Sequence, residues 1–78
     1  MSSDVDSKKK IAIYPGTFDP LTLGHEDIIR RALNIFDEVL VLIAHPPKKI
    51  PAISIDKRVE VIKKVFENQK QVSVDHWS

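Results

Sequence analysis

The segment from Tyr14 to His25, YPGTFDPLTLGH, constrains the fold of this chain more than any other. It contains Gly16 and Gly24, which are the only two glycines among the 78 residues, and two of the five prolines. A chain of this length at average usage would carry roughly five glycines. Because glycine and proline set unusual backbone conformations, their concentration here indicates a turn whose geometry serves a function.

Apolar patterns on either side of this segment predict a strand, a turn and a helix. The run IAIY predicts a strand near residues 10–14, which Pro15 and Gly16 are expected to end with a turn at positive φ. Apolar residues then recur at helical spacing, which predicts a helix from about Gly24 to Asn34. They are Ile28, Ile29, Ala32 and Leu33. Since a helix amino terminus attracts anions, this order of elements predicts a phosphate site, with His25 in the first helical turn.

The rest of the chain continues the alternation of strands and helices. An uninterrupted apolar run within residues 38–44 predicts a strand buried on both faces, as in a parallel sheet. Ser54 is a candidate N-cap of a second helix that reaches about Glu67, and residues 71–75 alternate like a third strand. The β-α-β-α-β succession predicts a Rossmann-like α/β fold, with a parallel sheet in the order 3-2-1 and both helices packed across it.

Composition excludes several classes of protein. The absence of cysteine excludes a disulfide framework and a thiolate metal site, and it fits a reducing compartment. A net charge of +1 gives no support to nucleic-acid binding. The longest apolar run, at residues 39–44, is too short to cross a bilayer, so no membrane partner is expected. Residues 1–9 are polar and aperiodic, and we expect a disordered lead-in there.

At the glycine-rich segment the resemblance to a known family becomes specific. GTFDP at 16–20 and TLGH at 22–25 resemble the signature of nucleotidyltransferases with the (H/T)xGH motif, and within them the phosphopantetheine adenylyltransferases. Three further stretches are in register with that family without a gap, namely FDEV at 36–39, PKK at 47–49 and RV at 58–59. The resemblance covers residues 10–77 and about the first half of the family's domain. It implies that residues 10–78 are an incomplete nucleotidyltransferase domain.

The resemblance implies adenylyl transfer from ATP to 4′-phosphopantetheine, giving dephospho-coenzyme A and pyrophosphate. His25 is then the catalytic residue, which stabilises charge that develops at the α-phosphate. Thr17 and Lys49 are implied to bind the substrate phosphate, and Thr17, Phe18 and His25 to bind ATP. Magnesium is expected to arrive with ATP, held mainly by phosphate oxygens. The family also implies a cytoplasmic homo-oligomer, a hexamer.

From the residues alone, simpler explanations stand beside these roles. A helical histidine is more often a hydrogen-bonded, half-buried group, Thr17 can be a turn residue and Phe18 a buried aromatic. Lys48 and Lys49 can be two surface lysines of a proline-rich loop. Asp19 is interpreted as a turn-forming or helix-entry acid before Pro20 rather than a metal ligand. No metal site built by the protein is expected, because the remaining histidines lack partners at ligand spacing.

Part of the implied enzyme has no counterpart in these residues. The family's Arg-Gly-x-Arg segment and serine-rich stretch, which embrace ATP, do not occur in the sequence. We expect residues 11–14 to form an exposed apolar edge and the chain alone to be inactive. The alternative function is therefore a catalytically inert half-domain, which at most binds a phosphate ligand or associates through its open sheet edge.

Overall fold

The computed structural model describes residues 9–44 and 53–77. Within them, strands and helices alternate as β1 (Ile11–Gly16), α1 (Leu23–Ala32), β2 (Glu38–Ala44), α2 (Ile55–Val65) and β3 (Val72–Trp77). The strands form one parallel sheet in the order β1-β2-β3. This arrangement confirms the predicted Rossmann-like α/β fold and its order 3-2-1.

Both helices pack on the same face of the sheet. Paired residues of parallel strands project to the same side, so Ala12, Val39 and Val72 share one face. Ile29 of α1 and Ile62 of α2 are fully buried in the same core cluster as Val39. Right-handed crossovers that advance in one direction place successive helices on one side in this way. The core therefore lies between this face and the two helices.

The opposite face of the sheet carries exposed apolar side chains. Ile11, Ile13 and Trp77 are 54%, 61% and 59% exposed on this side. Leu40 and Leu42 of β2 lie between them and are only half-buried. The prediction that β2 is buried on both faces is therefore wrong for the described part of the chain. Its alternate residues are buried under the helices, whereas the others face the uncovered side.

Local sequence explains where the helices begin. The Thr22 hydroxyl accepts a hydrogen bond from the His25 N–H at 3.3 Å and caps α1. The Ser54 hydroxyl accepts one from the Lys57 N–H at 3.3 Å and caps α2, as predicted. Each cap satisfies an N–H group that has no partner within the helix. The carboxyl ends of the helices were predicted slightly too late in the sequence, since α1 stops at Ala32 rather than at about Asn34.

Helix α1 also contacts the carboxyl end of α2 through the side chain of Arg30. The Arg30 guanidinium carbon lies 5.0 Å from the centre of the Phe66 ring, a cation–π distance. Arg30 also lies 3.6 Å from the Glu26 carboxylate one turn earlier. Ile28, one of the residues that predicted α1, is exposed, because the buried face of the helix centres on Ile29.

The amino ends of β1 and β2 are tied by polar contacts. The Lys9 ammonium lies 2.9 Å from the Glu38 carboxylate, which raises the pKa of Lys9. The Lys10 N–H donates to the Asp37 carboxylate at 2.8 Å. Apart from Lys9, the expected lead-in lies outside the described residues. In residues 9–44 and 53–77 no helix is long and apolar enough to cross a membrane.

Candidate functional site

The connection between β1 and α1, residues 17–22, lies at the carboxyl edge of the sheet. Ligands of open parallel sheets bind at this edge. β1 continues through Pro15 and Gly16, so the predicted turn at these two residues is wrong. A proline is tolerated there because β1 is an edge strand. The chain leaves the sheet at Thr17 instead.

Gly16 is required for space rather than for turn geometry. A Cβ built at Gly16 would lie 2.9 Å from the ring of Phe18, closer than real side chains approach. Neither glycine has a positive φ, whereas Phe18 has a φ of 50°. Such a conformation strains a residue with a side chain, so the surrounding contacts must hold it. The absence of a side chain at position 16 lets the Phe18 ring turn back into the core.

The buried Phe18 ring connects the strand to the helix. It meets the Tyr14 ring edge-on with centroids 5.3 Å apart, and the His25 ring with centroids 4.9 Å apart. Edge-to-face contacts of this kind favour a defined orientation of each ring. The structure therefore brings Phe18 and His25, two of the residues expected to bind ATP, into direct contact.

Hydrogen bonds fix the orientation of the His25 ring. The Thr22 N–H donates to His25 Nδ1 at 3.0 Å, and the Thr22 hydroxyl lies 3.0 Å from the same nitrogen. His25 is the third residue of α1, where a glutamate or glutamine side chain would complete a capping box, and the imidazole takes that place. Because Nδ1 accepts a hydrogen bond from the Thr22 backbone N–H, a ring in this arrangement carries its proton on Nε2. Nε2–H is then the donor that the ring offers to a ligand.

Two long-range hydrogen bonds attach the turn, residues 17–22, to α2 and to the segment just before it. Arg58 Nη1 donates to the Thr17 carbonyl at 2.8 Å. The Ile53 N–H donates to the Asp19 carboxylate, also at 2.8 Å. Asp19 therefore joins this turn to the segment just before α2, and its role as a turn-forming acid stays a prediction. The contact of Arg58 was not predicted from the sequence. The place of Arg58 four residues before Ile62, on the buried face of α2, is the signal that could have indicated it.

The other residues singled out in the sequence fall in different places. The Thr17 residue is exposed next to the buried Phe18. Lys49, Lys48 and His45 lie outside the described residues, so their proposed roles stay predictions. Over residues 9–44 and 53–77 no group of three His, Cys, Asp or Glu side chains is placed to hold a metal ion.

Comparison with known proteins identifies the family. The model of the family described as cytidylyltransferase-like matches residues 13–78. The chain belongs to the cytidylyltransferase-like family. Curated relatives include the phosphopantetheine adenylyltransferase of Cupriavidus necator, 50% identical over 68 residues, which are 87% of this chain and 42% of the relative. The phosphopantetheine adenylyltransferase of Nitratidesulfovibrio vulgaris is 45% identical over 73 residues, or 94% of this chain and 39% of the relative.

Solved structures share the fold of this cytidylyltransferase-like chain. The NadR protein in complex with NR superposes with a TM-score of 0.78 at 27% identity over 87% of this chain and 19% of that one. A bifunctional NMN adenylyltransferase/ADP ribose pyrophosphatase from Francisella tularensis, complexed with AMP and an Mn ion, superposes with a TM-score of 0.75. That match, at 20% identity over 91% of this chain and 23% of the other, shows the fold alone.

These comparisons confirm the resemblance to nucleotidyltransferases and to the phosphopantetheine adenylyltransferases among them. The cytidylyltransferase-like chain spans about two fifths of the length of the curated relatives that it matches, 42% in the Cupriavidus necator protein.

Proposed function

We propose that this chain forms the phosphate-binding part of an adenylyltransferase that acts on ATP and 4′-phosphopantetheine. The observation that carries the proposal is the His25 ring, held at the amino terminus of α1 with Nε2–H as its donor. The names of the 45–50% identical relatives supply the acceptor substrate. In the reaction a phosphate oxygen of phosphopantetheine bonds to the α-phosphorus of ATP. The bond from that phosphorus to the bridging oxygen breaks, and pyrophosphate leaves.

In this proposal the protein acts purely by electrostatic stabilisation and positioning. We assign His25 Nε2–H to the non-bridging oxygens of the α-phosphate, where negative charge grows as the bond forms. Thr17 and Lys49 are assigned to the attacking phosphate, and Phe18 to ATP through its backbone N–H. No covalent intermediate is needed, because the acceptor phosphate is itself the nucleophile.

Magnesium belongs to the substrate in this proposal. The Asp19 carboxylate, which lies in the turn, already accepts a hydrogen bond from Ile53. We therefore assign the ion to the phosphate oxygens of ATP, where it offsets their charge. A cytoplasmic hexamer, as the resemblance implies, remains part of the proposal for the whole enzyme.

A hybrid protein tests this function. It consists of this chain followed by the part of the Cupriavidus necator relative that lies beyond the matched segment. We expect it to release pyrophosphate from MgATP only when 4′-phosphopantetheine is present. The same hybrid with His25→Ala is the matched control, and its turnover should fall sharply. A folded hybrid that binds MgATP but never turns over would favour the inert half-domain instead.

A further inference from the structure

We infer that Arg58 is a positioning residue, whose buried guanidinium orients the Thr17–Phe18 peptide so that the Phe18 N–H faces the phosphates of the nucleotide. The inference rests on the proposed function, because it assigns that N–H a phosphate ligand. Arg58 itself lies in the core, so we infer that it acts on the ligand through the turn.

The burial of Arg58 is the first observation. Its side chain is 1% exposed, and it is the only buried charged residue in the part of the chain that the structure describes. Burying a guanidinium is unfavourable unless hydrogen bonds replace its hydration, and an apolar side chain of similar volume often serves packing equally well. The neighbouring position on the same helix face, Ile62, is apolar. Packing alone therefore does not explain a charge at position 58.

The hydrogen bond of Arg58 is the second observation. Nη1 donates to the Thr17 carbonyl at 2.8 Å, across 41 residues of sequence. The peptide bond between Thr17 and Phe18 is trans, so its C=O and N–H point in opposite directions. A carbonyl drawn towards the buried guanidinium leaves the following N–H directed away from the core. Arg58 thereby sets the direction in which the Phe18 N–H points.

A second hydrogen bond restrains the conformation of the turn. The Asp19 carboxylate accepts a hydrogen bond from the Ile53 N–H at 2.8 Å, so the residues on both sides of Phe18 are joined to the α2 region. Between these hydrogen bonds Phe18 has its φ of 50°, and its ring fills the space left by Gly16. A peptide held in this way is oriented before the ligand arrives. Preorganised N–H donors bind phosphate without the free-energy penalty of reorienting in the complex.

The test uses the hybrid protein with Arg58→Met and Arg58→Lys. Methionine keeps the apolar volume and removes the donor, whereas lysine keeps one charged donor but loses the planar fork. The control is a substitution of Ile62, which is buried on the same helix and is not part of the turn. Ile62→Val and Ile62→Ala are both made, and the one whose loss in Tm is closer to that of Arg58→Met is used. Two quantities are measured: KM for MgATP against kcat, and amide hydrogen exchange of the peptide that contains Phe18.

We expect Arg58→Met to raise KM for MgATP about tenfold, with kcat changing less, and to accelerate exchange at the turn. Arg58→Lys should restore part of both effects, and the Ile62 control should show neither. Normal KM and normal exchange in Arg58→Met would overturn the inference, and so would equal effects in the Ile62 control. If Arg58→Met does not fold, Arg58→Lys decides by the same two measurements. A hybrid that shows no adenylyl transfer would contradict the proposed function. The role of Arg58 would then still be decided by whether MgATP slows amide hydrogen exchange at the turn.

Discussion

His25 Nδ1 accepts a hydrogen bond from the Thr22 N–H at 3.0 Å, so the ring that is proposed to meet the α-phosphate also caps the helix that carries it. The two roles use different nitrogens. Nδ1 is occupied by the cap, and Nε2 is left as the donor for the proposed phosphate contact. Removing the ring should therefore affect the stability of α1 and, under the proposed function, the chemistry as well.

Replacing His25 with alanine in the hybrid should lower kcat by a factor on the order of 10²–10³, with much weaker effects on substrate binding. The reason is that its donor is proposed to meet charge that appears only in the transition state. Steady-state kinetics with MgATP and 4′-phosphopantetheine measure the effect.

The loss of the cap needs its own control. Ser54→Ala removes the corresponding cap of α2, and we expect it to destabilise the hybrid by about 0.5–2 kcal/mol with kcat unchanged. If Ser54→Ala lowers kcat as strongly as His25→Ala, the kinetic effect comes from stability, and the catalytic role assigned to His25 is wrong.

The two glycines should respond in opposite ways to alanine. A Cβ at Gly24 would meet only the Thr22 hydroxyl, at an ordinary 3.6 Å. Gly24→Ala should therefore raise the free energy of unfolding by about 0.5–1 kcal/mol. It should also raise KM for MgATP about tenfold or more, because a methyl group then covers the first-turn N–H groups.

Gly16→Ala is the matched counterpart. The 2.9 Å contact with the Phe18 ring should lower the free energy of unfolding by about 1–3 kcal/mol, as overpacking does. Chemical denaturation and ATP kinetics of the two variants are compared side by side. A Gly24→Ala protein that is more stable and binds MgATP normally would remove the first-turn N–H groups from the phosphate site.

Lys49→Ala should mainly raise KM for 4′-phosphopantetheine and leave kcat nearly unchanged. The phosphate that Lys49 is proposed to bind is charged in both the ground state and the transition state, so the contact contributes uniform binding. Lys48→Ala is the neighbouring control and should alter neither constant. Equal effects of the two substitutions would indicate a general surface charge effect rather than a specific contact.

The chain without any added partner should show no adenylyl transfer and should self-associate. The uncovered sheet face, with Ile11 and Ile13 more than half exposed, provides the apolar surface for association. Ile13→Lys should reduce the sedimenting mass, because it places a charge on that face. Ile28→Lys, at an exposed position of α1, should not. Turnover by a monomer of the unmodified chain would contradict this expectation.

The sequence predicted those features that local patterns control. The order of strands and helices followed from apolar periodicity, and the Ser54 cap followed from the preference of serine for that position. The apolar run of β2 led to the wrong prediction that both faces of the strand are buried. Such a run shows that a strand lies in a sheet but not which faces of the sheet are covered. That coverage depends on which helices pack there, and a pattern internal to the strand does not contain it.

The details of the site depended on contacts between distant residues. Gly16 was expected to supply a positive φ, yet Phe18 has it, because the space behind Gly16 accepts the aromatic ring. Arg58 was not assigned to the site at all, since its partner Thr17 lies 41 residues earlier in the chain. The nearness of His25 to the turn was predictable, because both lie in one short segment.

The contacts that hold the turn have a consequence for the order of folding. They join Thr17 to Arg58 and Asp19 to Ile53, across 41 and 34 residues. Closing loops of that length requires β2 and α2 to be in place first, because chain entropy opposes long-range contacts until other contacts support them. During synthesis, the glycine-rich segment therefore leaves the ribosome long before Ile53 and Arg58 are available as partners. We expect a nascent chain that ends before α2 to contain the motif without its geometry. The nucleotide affinity that we propose for this segment should accordingly be acquired late, in the same step that docks α2 onto the sheet.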